Sequence, residues 1–204
     1  MLNDLPIEQL KSLNQIAQVY DQLFVNKRIE YIYRDMNNKR KILIVQHDTK
    51  NFMHLCGINH YHPDIDGLKN SKNFFKHCLS ECLSPSHIWY KDLGTVNLKL
   101  VALKSLNELI TDKVLICESG TFTHVKFDNA LRTNKMILAV SYIHSTNDNA
   151  CLVPNSALSL SHSKGNSPAF TNGRRPTQIR ITNISDGKTI SNLKIPPRSK
   201  AKKN

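Results

Sequence analysis

Residues 28–47 read RIEYIYRDMNNKRKILIVQH. RIEYIYRDM alternates and is rich in β-formers, the two asparagines supply turn residues, and KRKILIVQH resumes in the style of a strand. The stretch predicts a β-hairpin from Arg28 to His47. Upstream of it, Leu10, Leu13, Ile16, Ala17, Tyr20, Leu23 and Phe24 recur at helical spacing. Asp4, a capping residue, and Pro6, which suits a first turn, precede them, so a helix is expected from about Pro6 to Phe24. Downstream, NFMHLCGI sets Phe52, Leu55 and Cys56 on one side of a helical turn that Gly57 would close. GLKNSKNFFKHCLSECL and VNLKLVALKSLNELI gather apolar residues at core spacing and predict two more helices. Short apolar strands follow in KVLICES, FTHVKF and MILAVSYIH, then in CLV before Pro154. Helices first and strands later argue for an α+β fold with an antiparallel sheet.

From about His162 the composition changes. SHSKGNSPAFTNGRRPTQ is rich in Ser, Asn, Gly and Pro and reads as a linker. QIRITNI and KTISNLKI predict a small hairpin around an Asp-Gly turn, before PPRSKAKKN frays. The expected organisation is an N-terminal helix over residues 1–24, a main domain over 25–160 and a basic tail over 161–204.

Charge follows the same division. The 204-residue chain carries a net charge of +12. Residues 1–160 hold 18 Lys+Arg against 15 Asp+Glu, whereas residues 161–204 hold 10 against 1. A basic tail supplies sequence-independent attraction to phosphate, or simply solubility; it specifies no reaction. No apolar run approaches the roughly 20 residues of a membrane span, and MLNDLPIEQL lacks the features of a signal peptide, so a cytoplasmic protein is expected. The five cysteines, Cys56, Cys78, Cys82, Cys117 and Cys151, form no regular framework and are expected to be reduced and mostly buried.

Histidines draw the eye to chemistry first. His60, His62 and Asp64 in HYHPD resemble the H-x-H-x-D metal motif of the metallo-β-lactamase superfamily, and imidazole with carboxylate is a competent ligand set for zinc. That family continues with another histidine where Ile65 stands here, and its larger architecture does not match this element order. The motif also arises by chance in a chain with nine histidines, and a polar loop is the alternative reading of the cluster. Cys78 and Cys82 lack partner ligands. A phosphate-cradling glycine loop, a dinucleotide fingerprint and a G-x-S-x-G elbow are all missing from the sequence. His54, between Met53 and Leu55, is on residue chemistry alone either a packing residue or a catalyst.

Several pieces in order decide in favour of catalysis. Phe52, His54, Leu55, Gly57 and Ile58 form F-x-H-L-x-G-I after the hairpin. Lys99, Leu100 and Leu103 form K-L-x-x-L on a helix. Glu118, Ser119 and Gly120 mark a strand turn. Arg132, Thr133 and Lys135 lie in DNALRTNKMILAVS, and Val153, Pro154, Asn155, Ser156 and Leu158 close the series. Together they resemble the phage-associated nuclease family of the barnase, EndoU, colicin-tRNase and RelE-like superfold, over roughly residues 25–160.

The resemblance implies N-terminal helices packed on a small antiparallel β-sheet, with the basic C-terminal extension outside it. It also implies cleavage of RNA, tRNA included, without metal or other cofactor, in a phage, mobile-element, toxin or defence setting. To cut RNA by its own 2′-hydroxyl, an enzyme takes that proton, stabilises the phosphorane and protonates the leaving 5′-oxygen. His54 is then a base or acid, Lys99 and Arg132 hold the phosphate, and Ser156 adds a hydrogen bond. Glu118, Tyr142 and His144 are candidates for the second proton transfer. Each has a bland alternative: Lys99 a solvent-facing helix residue, Arg132 a helical partner of Asp128, Ser156 a strand end, Glu118 a turn residue.

Lys135, Arg174, Arg175 and Arg180, with Lys188, Lys194, Arg198, Lys200, Lys202 and Lys203, are expected to hold an RNA backbone or to meet an acidic antitoxin or immunity protein. Two other readings remain open: a non-catalytic nucleic-acid-binding or inhibitory protein on the same fold, and a metal-dependent hydrolase built on His60, His62 and Asp64.

Overall fold

The computed structural model describes residues 5–62, 70–146, 150–161 and 168–197. The amphipathic N-terminal stretch forms α1, Ile7–Leu23, and buries Leu13, Ile16, Ala17 and Tyr20. Their spacing follows one helix face. Pro6 occupies the cap position without a side-chain bond, and Asp4 lies outside the described residues.

The expected hairpin is β1, Lys27–Arg34, with β2, Arg40–Gln46. Register pairs Ile29 with Val45 and Tyr31 with Leu43, all buried. Its turn is held by Asp35, whose carboxylate accepts the N–H groups of Asn37 and Lys39, both at 2.9 Å. Asp48 then caps α2, Thr49–Leu55, accepting from the Lys50 N–H, while the Asn51 side chain accepts from the Asp48 N–H at 2.8 Å. This reciprocal box fixes the start of the short helix that carries His54.

Next come β3, Ile58–Tyr61, α3, Ser71–Leu79, and β4, Ile88–Tyr90, with β3 and β4 forming a two-stranded sheet. The third predicted helix is split. It forms α4, Leu93–Leu103, capped by Asp92, and a separate 3-10 turn, Leu106–Ile110. The strands β5, Val114–Cys117, β6, Gly120–Phe122, β7, Val125–Phe127, β8, Asn129–Thr133, β9, Leu138–His144, and β10, Leu152–Ser159, follow. FTHVKF is thus not one strand. Thr123 takes a positive φ of 54° and the chain doubles back as the β6–β7 hairpin. After α5, Pro168–Thr171, come β11, Gln178–Asn183, and β12, Thr189–Lys194.

The main sheet has eight strands in the order β12-β11-β1-β2-β10-β9-β8-β5. This corrects the expectation of a small antiparallel sheet. All its pairings are antiparallel except β2 with β10, which meet in parallel at Val45 and Leu152. The C-terminal hairpin forms around Gly187, but residues 178–194 are not an extension outside the fold. β11 pairs with β1 over six positions, and Ile179, Ile181 and Ile195 are buried in the core. Hydrophobic alternation marks a strand and says nothing of its partner, so a pairing across some 150 residues is invisible to it.

The same segment curls the sheet. Arg174 and Ile116 exchange backbone hydrogen bonds at 2.7 and 2.8 Å, and the Thr177 N–H donates to the Ile32 carbonyl at 2.7 Å. One short stretch is therefore bonded to β5 at one end and to β1 at the other. Helices α1–α4 bury against one face of the sheet, over Ile29, Tyr31, Leu43, Val45, Leu131, Val140 and Tyr142. On the alternate positions, Ala130, Ala139 and Leu158 join Cys117, Phe127 and Phe170 in a second, smaller cluster.

Candidate active site

Strand β10 leaves β2 after Leu152 and slips register between Pro154 and Ser156. Helices α2 and α4 pack against this stretch. Lys99 of α4 reaches across: its Nζ donates to Ser156 Oγ at 3.3 Å and to the His54 carbonyl at 3.4 Å. The structure thus joins α2, α4 and β10 through one ammonium group.

Glycine makes this approach possible. Gly57 turns the chain out of α2 with φ +81°, and a Cβ there would meet Lys99 Cδ at 3.1 Å and Val96 Cγ2 at 3.6 Å. The lysine stem lies along the bare backbone. Burial holds the Lys99 ammonium below the usual lysine range, and burial likewise pushes the neighbouring Cys56 thiol far up, leaving it neutral. Ser156 is buried and its hydroxyl also donates to the Ala157 carbonyl at 3.3 Å. His54 is exposed on α2, while Phe52, Met53 and Leu55 around it are buried. Chemically, the arrangement offers a partly desolvated cation and a hydroxyl side by side, with an imidazole on the adjoining helix.

Arg132 lies elsewhere. It is on a strand, not a helix, opposite Leu115 and Ala139, and is buried. Its Nη1 donates to the Thr133 carbonyl at 3.1 Å, and its guanidinium lies against Gly173. Beside it, the Cys117 thiol is raised to about 11 by burial, partly offset by the arginine's charge. The helical pairing with Asp128 does not form; Asp128 accepts from the His144 N–H at 2.8 Å.

Glu118 and His144 are exposed, and the Glu118 carboxylate adds to the burial that raises the Tyr33 phenol. Tyr142 is buried in the core, its hydroxyl 3.0 Å from His47 Nε2. Burial raises its phenol well above the usual value and drops His47 to about 3. His47 escaped the sequence reading, although its position two and four residues beyond Val45 and Leu43 marks it as inward-facing.

Among the basic residues, Lys135 is exposed in the turn before β9. Arg174 is fixed through its backbone. Arg175 donates to Asp112 at 3.1 Å and to the Pro196 carbonyl at 3.2 Å, and Arg180 pairs with Glu30 at 3.2 Å. Lys188 and Lys194 are exposed, and residues 198–204 lie outside the described residues. The His60 and His62 rings stack at 5.8 Å, both edge-on to Trp89. Asp64 lies outside the described residues, among which no group of three metal-ligating side chains comes together. All five cysteines are free, and Cys82, beyond the end of α3, is exposed. No described helix is long and apolar enough to cross a membrane.

Residues 12–184 match the family described as phage-Barnase-EndoU-ColicinE5/D-RelE like nuclease4. The match takes in most of α1 and all of β11, a wider span than the motifs alone. No curated protein and no solved structure matches the chain.

Proposed function

The chain belongs to the phage-Barnase-EndoU-ColicinE5/D-RelE like nuclease4 family, and on that premise we propose that it is a ribonuclease that cuts RNA through the substrate's own 2′-hydroxyl. The observation that carries this reading is the convergence of Lys99 on the Ser156 hydroxyl and on the His54 carbonyl. A phosphate seated there meets an ammonium group freed from part of its hydration, beside a serine hydroxyl that donates to it by turning from the Ala157 carbonyl. The exposed His54 imidazole takes the 2′-hydroxyl proton as that oxygen attacks phosphorus. The 5′-oxygen leaves with a proton returned by an acid, and the products are a 2′,3′-cyclic phosphate and a 5′-hydroxyl.

Burial argues against Tyr142 as that acid. Glu118 and His144, both exposed, are the remaining candidates. Phosphate binding goes in this reading to Lys99, and Arg132, buried against Gly173 on the sheet face away from the helices, takes a structural part. RNA, tRNA included, is the proposed substrate and the cytoplasm the proposed place of action. A nuclease of this kind in a phage or mobile-element setting acts as a toxin or defence factor held in check by an acidic inhibitor.

The test is incubation of total RNA and of tRNA with wild type and His54→Ala, in EDTA, with the new ends analysed. Cleavage by wild type alone, leaving cyclic phosphate, is expected. Cleavage by both proteins alike, or by neither, overturns the assignment; activity lost in EDTA favours a metal site instead.

A further inference from the structure

The outer face of the β12-β11-β1-β2 half of the sheet is lined with cations. Side chains alternate along a strand, and Ile29, Tyr31, Tyr33, Leu43, Val45, Ile179 and Ile181 are buried in the core on the helix side. The opposite positions of β1 hold Arg28, Glu30, Ile32 and Arg34. Register places Arg40 beside Arg34, Arg180 beside Glu30, and Lys194 beside Gln178 on the same face. Glu30 is the one acid in the four strands, and it is held between Arg28 at 3.4 Å and Arg180 at 3.2 Å.

Arg34 and Arg40 are the unusual pair. They stand directly opposite each other across the hairpin, both exposed. Like charges in that relation destabilise a sheet. Arg34 donates to the Asn38 carbonyl at 2.9 Å, a neutral acceptor, and among the described residues neither arginine forms an ion pair. An anion between the two guanidinium groups would turn the repulsion into attraction.

We propose that this face is a second binding surface, a track for the sugar-phosphate backbone of single-stranded RNA running along β1 from Arg28 to Arg34 and Arg40. This rests on the ribonuclease reading for its choice of RNA. The six steps from Arg28 to Arg34 make the track about 20 Å long. Its Arg28 end lies opposite Gln46, where β2 leads into the helix that carries His54. The hairpin-turn end is remote from that helix. No aromatic side chain stands on this face of the four strands, so the track grips phosphate without stacking bases or reading sequence. An acidic protein is the poorer fit. Ile32 is buried and Ile44 half-buried, which leaves Ile42 on β2 and Ile190 on β12 as the well-exposed apolar residues, at opposite edges of the four strands and too scattered for the apolar centre of a protein interface.

The experiment uses a fully 2′-O-methylated RNA 12-mer, which cannot be cleaved through its 2′-oxygen, and compares wild type with Arg34→Gln/Arg40→Gln by fluorescence anisotropy across salt concentrations. Each lost phosphate contact on a single strand lowers the slope of log affinity against log salt by about 0.7. The double variant should therefore bind more weakly, with a slope smaller by about 1.4, while its melting temperature is unchanged or higher because the repulsion is gone. Unchanged affinity and slope would overturn the track, whether or not the face binds something else. A melting temperature that falls together with affinity would overturn the role given to the pair. Because binding is read on uncleavable RNA, the outcome is independent of whether the protein cuts. A separate cleavage assay on a dinucleotide, too short to reach Arg34, reports on the ribonuclease reading alone.

Discussion

Lys99 of α4 and Ser156 of β10 meet at 3.3 Å beside the register slip of the strand, joined only by tertiary packing across 57 positions of sequence. A lysine there is costly to the fold, since burial works against its charge. The nuclease reading makes that cost intelligible, because the same desolvation strengthens its hold on phosphate.

Replacing the ammonium separates these roles. Lys99→Met should lower the rate of RNA cleavage by about 100-fold or more. It should leave the protein at least as stable at neutral pH. The lysine's folded-state pKa lies below the ordinary 10.5, so the unfolded chain binds the proton more tightly and wild-type stability rises as pH climbs from the lowered pKa to 10.5. The stability advantage of the methionine variant should shrink over that window. Chemical denaturation at several pH values, alongside kinetics, checks both parts.

Gly57 supports the same lysine from below. Gly57→Ala places a methyl 3.1 Å from Lys99 Cδ at a residue held at φ +81°. The left-handed backbone alone should cost about 1–2 kcal/mol. Cleavage should fall beyond what this loss of stability explains, because the stem is displaced. Full activity in a folded Gly57→Ala protein would contradict the proposed placement of Lys99.

Acid should unfold the protein through His47. Its folded pKa of about 3 lies below the ordinary 6.5, so stability is fully present above pH 6.5 and is lost as pH falls toward 3. The loss amounts to about 4 kcal/mol from this residue. His47→Gln keeps a group able to bond the Tyr142 hydroxyl and should flatten the stability profile over that window. Denaturation midpoints of the two proteins between pH 7 and pH 4 decide the matter.

The C-terminal hairpin should prove integral. Ile179, buried opposite Tyr31, belongs to the same core as the helices. Ile179→Ala should destabilise by about 2–5 kcal/mol. A chain ending at residue 177 exposes the edge of β1 and should not fold to a stable monomer, as thermal melting and size-exclusion chromatography would show.

Local pattern in the sequence determined the elements. Alternation in RIEYIYRDMNNKRKILIVQH, the repeat of Leu13, Ile16, Ala17 and Tyr20, and the Asp-Gly turn of the last hairpin each reflect forces acting within a few residues, and each element formed where expected. The motif order around His54 and Lys99 also carried the family. Partnership was decided only by the tertiary structure. That β11 pairs with β1, that Tyr142 is closed off against His47, and that Arg132 is buried against Gly173 while Lys99 reaches Ser156 all depend on contacts between distant segments. A strand's alternation says which face is apolar and not which edge finds which neighbour; that choice is made when the whole core closes at once.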